Sequence, residues 1–548
     1  MGREKVKVFI SYARENADVA RRLYHDLKSQ SVEPWLDTEC ILPGQRWSDA
    51  IAEAIKDSDY FFALFSKKLA EKRGYVQSEL KKALEVLRDV PPGKGYLIPI
   101  RLDDCRIEIK EFLEYQWVDL FPIYEEGLAK ILKAILPQPA YHTDDDFYVS
   151  QAGWGVIFST SADPKVYDAL EPLLQLRKEQ FSGERSGLYK EFVGPAGYRQ
   201  GETHLDFLSR NGVGPSFRDP SRVPTYLLIV GDPGEIPFEF QYGLCVQYYV
   251  GRIHFDNLEG YKRYANTVVS LEKHRTQERP NVLFFGPQHV GDQATKLTTR
   301  YLLQPLREAL SRRYPDLKIR IAEGEDATKN TLLSFLTKSE NPQLLFLAGH
   351  GMMTASGHEK QQAIQGSVLC ADWPGFGTIE ESYYLSSSDL ASVELGGMVL
   401  FLFNEFGGGT PDADEFRTRP SVETLPPLAP RPFLSSLAKH LLGNCGAGAI
   451  LAHVDRIWGT SILWDAAIPQ IEAFEQAVRT IIDGKPVGMA HHFFASRYAE
   501  LASHLSAARA KLNEGTNVML ELETLDARNF IVIGDPAFRI TEPSQADG

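Results

Sequence analysis

The sequence predicts an α/β protein made of two parts. Apolar runs of strand length alternate, along nearly the whole chain, with stretches that repeat an apolar residue every four positions. The length of 548 residues is too great for one ordinary domain. Residues 136–147 contain two prolines and three consecutive aspartates, a composition typical of a linker. We therefore expect one unit at 1–136, a linker at 137–147 and a larger unit after it.

The first unit shows a regular alternation of strand and helix patterns. Strands are predicted at 6–12, 34–37, 60–66, 96–101 and 116–120. Helices are predicted by the apolar spacing in 15–29, from Trp47 to Ile55, in 76–87 and in 128–135. This order predicts a parallel sheet of five strands with helices on both faces. A ligand would then bind beyond the carboxyl ends of the strands.

The second unit has its own set of apolar strands and intervening helical stretches. The strands are predicted at 226–231, 281–286, 317–322, 343–348, 398–403, 447–452 and 529–534. This pattern predicts a large α/β domain over 226–548. Residues 148–225 are either a connecting region or the start of that domain, and the pattern leaves a boundary near 225 open.

Composition and charge exclude several classes of function. Lys plus Arg is 59 and Asp plus Glu is 73, so the formal net charge is −14. This balance argues against a nucleic-acid partner bound by phosphate neutralisation. The five cysteines are far apart without a CxxC pair, which predicts free thiols in a cytoplasmic protein and no metal site. No apolar run reaches about 18 residues and the N-terminus has no signal-type core, so no membrane association is expected.

Four blocks in the first unit carry a family resemblance. They are VFISYARENADVARRLYHDL, WLDTECILPGQRWSDAIAEAI, YFFALFS and YVQSELKKAL, in this order over residues 5–136. Together they resemble a TIR domain, which implies a flavodoxin-like fold for the first unit. Some TIR domains are adaptors that bind one another, and others cleave NAD⁺ at the nicotinamide–ribose bond.

The resemblance implies a catalytic carboxylate at Glu79. The enzymatic kind has a glutamate just after an aromatic residue on the helix that follows the third strand, and here Tyr75 stands where the family more often has Trp. Loss of nicotinamide leaves positive charge on the ribose, and a fixed carboxylate stabilises that charge. Because nicotinamide is already a cationic leaving group, one acid is sufficient. NAD⁺ is then the substrate, and no cofactor is expected. The competing interpretation makes Glu79 a solvated helix residue beside Lys81 and Lys82.

Further residues of the first unit are candidates for contact with the nucleotide. They lie at the ends of the first two strands and beyond the loop 38–46, and they are Ser11, Tyr12, Arg14, Asp37 and Trp47. Strand-end packing for Tyr12, capping for Asp37 and core packing for Trp47 are the structural alternatives. The loop 38–46 corresponds to the TIR loop that reorganises when domains stack, so self-association through TIR domains is expected.

The second unit resembles caspase-clan cysteine peptidases of the gingipain and CHAT type over about 225–540. The blocks are LLFLAGHGM, MVLFLFNEFGGGTPDADEF, AGAILAHVDRIWG and IVIGDPAFRI, together with residues 226–256. In that family a His-Gly after one strand and a Cys after the next form the catalytic dyad. Here His350 is present, but Glu405 stands at the position of the Cys. The resemblance thus implies a degenerate dyad.

Two other features of the second unit are explained by structure rather than by catalysis. His453 and Asp455 invite interpretation as part of a triad, but a histidine after an apolar strand is more often structural. The Gly-Asp-Pro sequences at 231–233 and 534–536 predict tight turns at strand ends. No P-loop occurs, so a nucleotide-triphosphate-driven receptor is not expected.

These resemblances imply a TIR NAD⁺ hydrolase fused to a proteolytically inactive caspase-like domain, as in bacterial antiviral or cell-suicide defence. The product would be ADP-ribose or a cyclic isomer, and the second unit would sense an unidentified protein or ligand trigger or fix the oligomer. Two alternatives remain: an adaptor TIR protein without catalysis, and an active cysteine peptidase regulated by its TIR domain.

Overall fold

The chain forms two compact units, residues 1–143 and 144–548. A computed structural model describes most of each unit. The described residues are 6–29, 32–41, 44–67, 97–105, 117–122, 124–135, 149–181, 183–214, 218–276, 278–337, 342–416, 427–464, 468–510 and 514–542. Among them, no helix is both long enough and apolar enough to cross a bilayer.

The first unit contains a parallel sheet of five strands in the order β2-β1-β3-β4-β5. The strands are β1 (Lys7–Ser11), β2 (Glu33–Trp35), β3 (Tyr60–Phe65), β4 (Leu97–Arg101) and β5 (Val118–Asp119). The described helices are Ala17–Ser29, Asp37–Cys40, Trp47–Asp57 and Tyr124–Ile135. The predicted fold of this unit is confirmed.

Some boundaries of the first unit differ from the expected ones. The first helix begins at Ala17, because Arg14–Asn16 form a separate 3₁₀ turn. The second strand ends at Trp35, and the chain turns into the short helix Asp37–Cys40. The last strand is only Val118–Asp119. The helix expected at 76–87 lies outside the described residues.

The apolar strand runs bury the centre of the first unit. Val8 and Ile10 of β1, Phe62 and Leu64 of β3 and Ile100 of β4 are at most 2% exposed. Alternate residues of each strand therefore enter the same core cluster. A central strand covered by helices on both faces has this composition.

The second unit is built on one sheet of ten strands. The order is β11-β10-β12-β15-β18-β21-β9-β8-β6-β7. The strands are β6 (Trp154–Phe158), β7 (Tyr189–Phe192), β8 (Tyr226–Val230), β9 (Tyr249–Ile253), β10 (Val282–Pro287), β11 (Ile319–Gly324), β12 (Leu344–Ala348), β15 (Val399–Phe403), β18 (Ala449–His453) and β21 (Phe530–Gly534). Every neighbouring pair is parallel except β18 and β21. The α/β class expected for this unit is confirmed.

Three two-stranded ribbons and a set of helices complete the described part of the second unit. The ribbons pair β13 (Val368–Leu369) with β14 (Tyr384–Leu385), β16 (Gly409–Thr410) with β17 (Phe433–Leu434), and β19 (Leu463–Trp464) with β20 (Ile468–Pro469). The helices are Val149–Ala152, Pro164–Glu179, His204–Arg210, Phe238–Cys245, Leu258–Lys273, Gln293–Thr298, Gln304–Arg313, Lys329–Thr337, Gln361–Ile364, Ser436–Gly443, Glu472–Ile482, Val487–Ala510 and Glu514–Arg528.

The residues between the linker and position 225 belong to this second unit. Strands β6 and β7 lie in the same sheet as β8, and β6 pairs directly with β8. A buried cluster fixes this region to the end of β21: Arg177 Nε and Nη2 donate to Asp535 Oδ2 at 2.8 and 2.7 Å, and Trp154 Nε1 donates to Oδ1 at 3.0 Å. Asp535, in the turn after β21, therefore stabilises the packing of this region against the sheet.

Candidate functional site

The carboxyl ends of β1 and β2 bring two of the predicted site residues together. Tyr12 follows β1, and its hydroxyl donates to Asp37 Oδ1 at 2.8 Å, just beyond β2. Burial, followed by the hydrogen bond to Asp37, raises the pKa of Tyr12 to about 12. The phenol therefore stays protonated at neutral pH and remains a donor. Asp37 also accepts the backbone N–H of Thr38 at 2.8 Å, so its side chain is held in place.

For the other predicted site residues of the first unit, the structure gives at most a position in the fold and a degree of exposure. Ser11 ends β1 and is only 1% exposed, whereas Arg14 is exposed in the following turn. Trp47 begins the helix Trp47–Asp57. Tyr75 and Glu79 lie outside the described residues.

Sequence reasoning missed a neutral pair between β1 and β3. Asn16 Nδ2, after β1, donates to Ser66 Oγ, after β3, at 2.8 Å. Ser66 is only 4% exposed and Asn16 is half-buried. The sequence signal was limited to two polar residues close behind two apolar runs.

Charged bridges span the remaining strand ends at this edge of the sheet. The backbone N–H of Lys67 donates to both carboxylate oxygens of Asp103, at 3.0 and 3.2 Å. Arg101 Nε and Nη2 donate to the two oxygens of Asp119 at 2.6 and 2.8 Å. The bifurcated hydrogen bond of Lys67 links β3 with the segment after β4, and the bidentate contact of Arg101 links β4 with β5.

A second cluster lies at the carboxyl ends of β12 and β15 in the larger unit. These strands are parallel neighbours, so the loops after them meet. His350 Nδ1 is 3.2 Å from Glu405 Oε1, and Glu405 Oε2 accepts the backbone N–H of Gly351 at 2.7 Å. The two residues of the predicted degenerate dyad are therefore in contact. Their side chains have the geometry of an ion pair.

Asp292 completes this cluster and was missed in the sequence. Its Oδ2 is 2.8 Å from His350 Nε2. Asp292 follows β10, and it also accepts from the backbone N–H of Thr295 at 3.2 Å and from Thr295 Oγ1 at 2.7 Å. Its position in a Gly-Asp-Gln loop gave no periodic signal. Three strand-end loops are thus joined through one imidazole.

Electrostatics make the imidazole a cation. Burial lowers the pKa of His350, but the hydrogen bonds and negative charges of Glu405 and Asp292 outweigh it and raise the pKa to about 9. The pKa of Asp292 is lowered, against its burial, by the Thr295 hydroxyl and the charge of His350. A protonated imidazole flanked by two carboxylates cannot accept a proton as a general base near neutral pH.

The turn after β15 is backbone-strained. Phe406 is fully buried and adopts φ 57°, a region that non-glycine residues rarely occupy. The N–H of Phe406 donates to the carbonyl of Asp455 at 2.8 Å, which holds the turn. The Glu405 side chain that precedes this turn is held by its contacts with His350 and with the Gly351 N–H.

The cysteine thiols are not available as nucleophiles near this cluster. Cys370 donates to the carbonyl of Val368, and Cys445 to that of Leu390. Burial raises the pKa of Cys370 to about 12 and that of Cys445 to about 11. Both thiols are protonated at neutral pH, and a protonated thiol is a poor nucleophile.

His453 is a structural histidine in this geometry. It is fully buried, and its Nε2 lies 3.0 Å from the carbonyl of Asp526. Burial lowers its pKa, so the ring is neutral. Asp455 instead contacts Arg456, and burial raises the pKa of Asp455 to about 6. Within the described residues, no group of three or more His, Cys, Asp or Glu side chains is arranged to hold a metal ion.

The comparisons with known proteins identify the first unit. Residues 8–132 match the family model of the TIR domain, so the predicted TIR domain is confirmed. No curated protein matches the sequence.

The structure has similarities among solved proteins. One is the complex of Porphyromonas gingivalis RgpB pro- and mature domains, with 14% identity, a TM-score of 0.42, and coverage of 70% of this chain and 79% of that one. Another, described as a protease, has 12% identity, a TM-score of 0.41, and coverage of 73% and 79%.

Proposed function

We propose that the TIR unit is an NAD⁺ glycohydrolase that releases nicotinamide. The observation that carries the proposal is the family match over residues 8–132, together with the aromatic–glutamate block Tyr75–Glu79 inside it. The chemistry assigns Glu79 to the positive charge that develops on the ribose. Tyr12 and Asp37 lie at the strand-end edge where a parallel sheet of this topology binds its ligand.

The second unit is proposed as a proteolytically inactive control domain. A peptidase of the resembled type needs a thiolate beside a neutral imidazole. Here the imidazole of His350 is paired with the carboxylates of Glu405 and Asp292 and carries a proton. The domain would therefore bind a trigger or set the oligomer of a defence protein, rather than cut peptides.

Incubation of the purified full chain with NAD⁺ tests the proposal. Free nicotinamide is followed by chromatography for the wild type and for Glu79→Gln. We expect release by the wild type and a loss of about 10²-fold or more in the variant. Equal activity in the two proteins would show that Glu79 is not the catalytic carboxylate. An inactive wild type that still self-associates would favour the adaptor alternative.

A further inference from the structure

At the carboxyl edge of the TIR sheet, the gap between the ends of β1 and β3 differs from the gaps between the other neighbouring strands. In the order β2-β1-β3-β4-β5, the chain adds strands in one direction from β1 to β2 and then in the other direction from β3 onward. The strand order therefore reverses between β1 and β3. In open parallel sheets the crevice at such a reversal is where ligands bind.

The Asn16–Ser66 pair lies in this gap. Asn16 follows β1, Ser66 follows β3, and the two strands are direct neighbours with Ser11 opposite Ala63. At the neighbouring strand ends, Asp37, Asp103 and Asp119 are held by Tyr12, Lys67 and Arg101 respectively. Among the described residues, the gap at the reversal is thus bridged by two neutral side chains and its neighbours by carboxylates.

The pair retains hydrogen-bonding capacity that the carboxylate bridges have used. An amide side chain has two N–H donors and a carbonyl acceptor, and a hydroxyl is both donor and acceptor. The single bond of 2.8 Å uses one N–H of Asn16 and one lone pair of Ser66. Asn16 Oδ1 and the Ser66 hydroxyl hydrogen have no partner among the described residues. A vicinal diol, which both donates and accepts, complements an acceptor beside a donor.

We propose that Asn16 and Ser66 bind a ribose hydroxyl pair of NAD⁺ at the β1/β3 crevice. This inference rests on the proposed function and adds two substrate-positioning residues to it. Because both side chains are uncharged, they hold the sugar without repelling the pyrophosphate or the pyridinium ring. They orient the substrate and take no part in bond breaking.

Binding and turnover separate this role from a structural one. Isothermal titration of NAD⁺ into the full chain carrying Glu79→Gln measures affinity without consumption of the ligand. Adding Asn16→Ala and Ser66→Ala should raise the Kd about tenfold or more, since each lost hydrogen bond to the ligand leaves a desolvated polar group. In the chain with Glu79 intact, the same pair of substitutions should raise KM more than it lowers kcat.

A matched control and two ligand fragments complete the test. Ser58→Ala also removes a partly buried hydroxyl, but one at the opposite end of β3, where it donates to the Ala54 carbonyl at 2.7 Å. It should leave the Kd unchanged. Nicotinamide mononucleotide and AMP, titrated separately, show which ribose is held, because only one of them should lose affinity.

The outcomes distinguish this inference from the parent proposal. An unchanged Kd for NAD⁺ in the folded double variant would overturn the positioning role, even if Glu79 proves catalytic. NAD⁺ binding that depends on Asn16 and Ser66 in a protein that releases no nicotinamide would support the site and refute the hydrolase. Circular dichroism of each variant establishes that the loss is not unfolding.

Discussion

His350 Nδ1 and Glu405 Oε1 lie 3.2 Å apart, at the ends of two neighbouring parallel strands. The carboxylate contacts the imidazole, and under the proposed function it stands where a peptidase of the resembled type would have its thiolate. Its second oxygen accepts the N–H of Gly351, so the same side chain also uses the nearest backbone donor. The consequences of this pairing can be measured in several ways.

The first prediction concerns pH. The pKa of His350 is about 9 in the folded chain, against 6.5 for the free side chain. A raised folded pKa stabilises the domain fully below pH 6.5, and this stabilisation is lost as pH rises through 9. The difference is on the order of 3 kcal/mol. Calorimetry of wild type and His350→Gln should show stabilities that converge between pH 6.5 and 9.5, and a constant difference would contradict the ion pair.

The second prediction concerns proteolysis. With His350 protonated and Glu405 beside it, we expect no cleavage of casein or of a mixed peptide library by the full chain. His350→Ala should be equally inactive on peptides and should retain NAD⁺ cleavage. Proteolysis that disappears in His350→Ala would mean that a nucleophile exists elsewhere.

The third prediction concerns the assigned catalytic carboxylate. Glu79→Gln should abolish nicotinamide release while leaving the melting temperature within about 2 °C, because the exchange keeps the shape of the side chain and removes only its charge. Glu53→Gln, an exposed position on the helix Trp47–Asp57, is the matched control and should keep full activity. Similar losses in both variants would point to a general charge effect.

The fourth prediction concerns assembly. Gly44 has φ 93° in the segment that follows the helix Asp37–Cys40, and, chain neighbours apart, no atom of the described residues lies within 4 Å of where its Cβ would be. Gly44→Val therefore strains the backbone, by about 1–3 kcal/mol, without a steric clash. We expect the loop to change conformation and the concentration-dependent activity to fall, with the monomer still folded. Gly459→Val is equally open but has no positive φ, and it should have no effect.

A direct measurement checks the assembly model itself. Nicotinamide release per molecule should rise steeply with protein concentration, because one TIR loop is expected to complete the site of the next copy. Light scattering at each concentration gives the oligomeric state. Constant specific activity across a hundredfold dilution, in a protein that remains monomeric, would rule the model out.

The fifth prediction concerns the buried ion pair between Arg177 and Asp535 in the second unit. Asp535 is fully buried and accepts two bonds from Arg177 and one from Trp154. Asp535→Asn leaves the guanidinium with less compensation, and should destabilise the unit by about 3–5 kcal/mol in urea unfolding. Asp163→Asn, at an exposed helix N-cap where Asn serves equally well, should cost almost nothing. Comparable losses in the two variants would refute the role of the buried pair.

Most of the strands that the sequence predicted in the second unit are almost entirely apolar, and β11, with Arg320 and Glu323, is an exception. Seven predicted runs after residue 225 fall within two residues of observed strands. Six of these strands are buried throughout, as expected where both faces of a sheet are covered, and only the edge strand β11 is partly exposed. Strand β9 was missed since it contains Arg252, which is completely buried. Its guanidinium is bonded to Gln241 and to backbone carbonyls, including that of Ile236. A charge satisfied by distant residues cannot be recognised from local pattern.

Some residues of the candidate sites could likewise be predicted from the sequence, and others could not. His350 and Glu405 were found through the family resemblance, in which the two positions follow neighbouring strands, and here each comes two residues after an apolar strand. Asp292 could not be found, since its contact with His350 depends on how a third loop folds back. The hydrogen bond from Asn16 to Ser66 likewise joins residues 50 positions apart, and only the strand order brings them together.

The position of β21 has a consequence for how the second unit forms. Five strands, built from residues 282–453, lie on one side of it, and four, built from 154–253, lie on the other. Strand β21 is later in sequence than all nine and is the only member of the sheet that bonds to both sets. Without residues 530–534, the edges of β18 and β9 that face β21 would have no strand to pair with, and unpaired strand edges are prone to wrong association. This unit should therefore fold late and slowly, through contacts of long sequence separation.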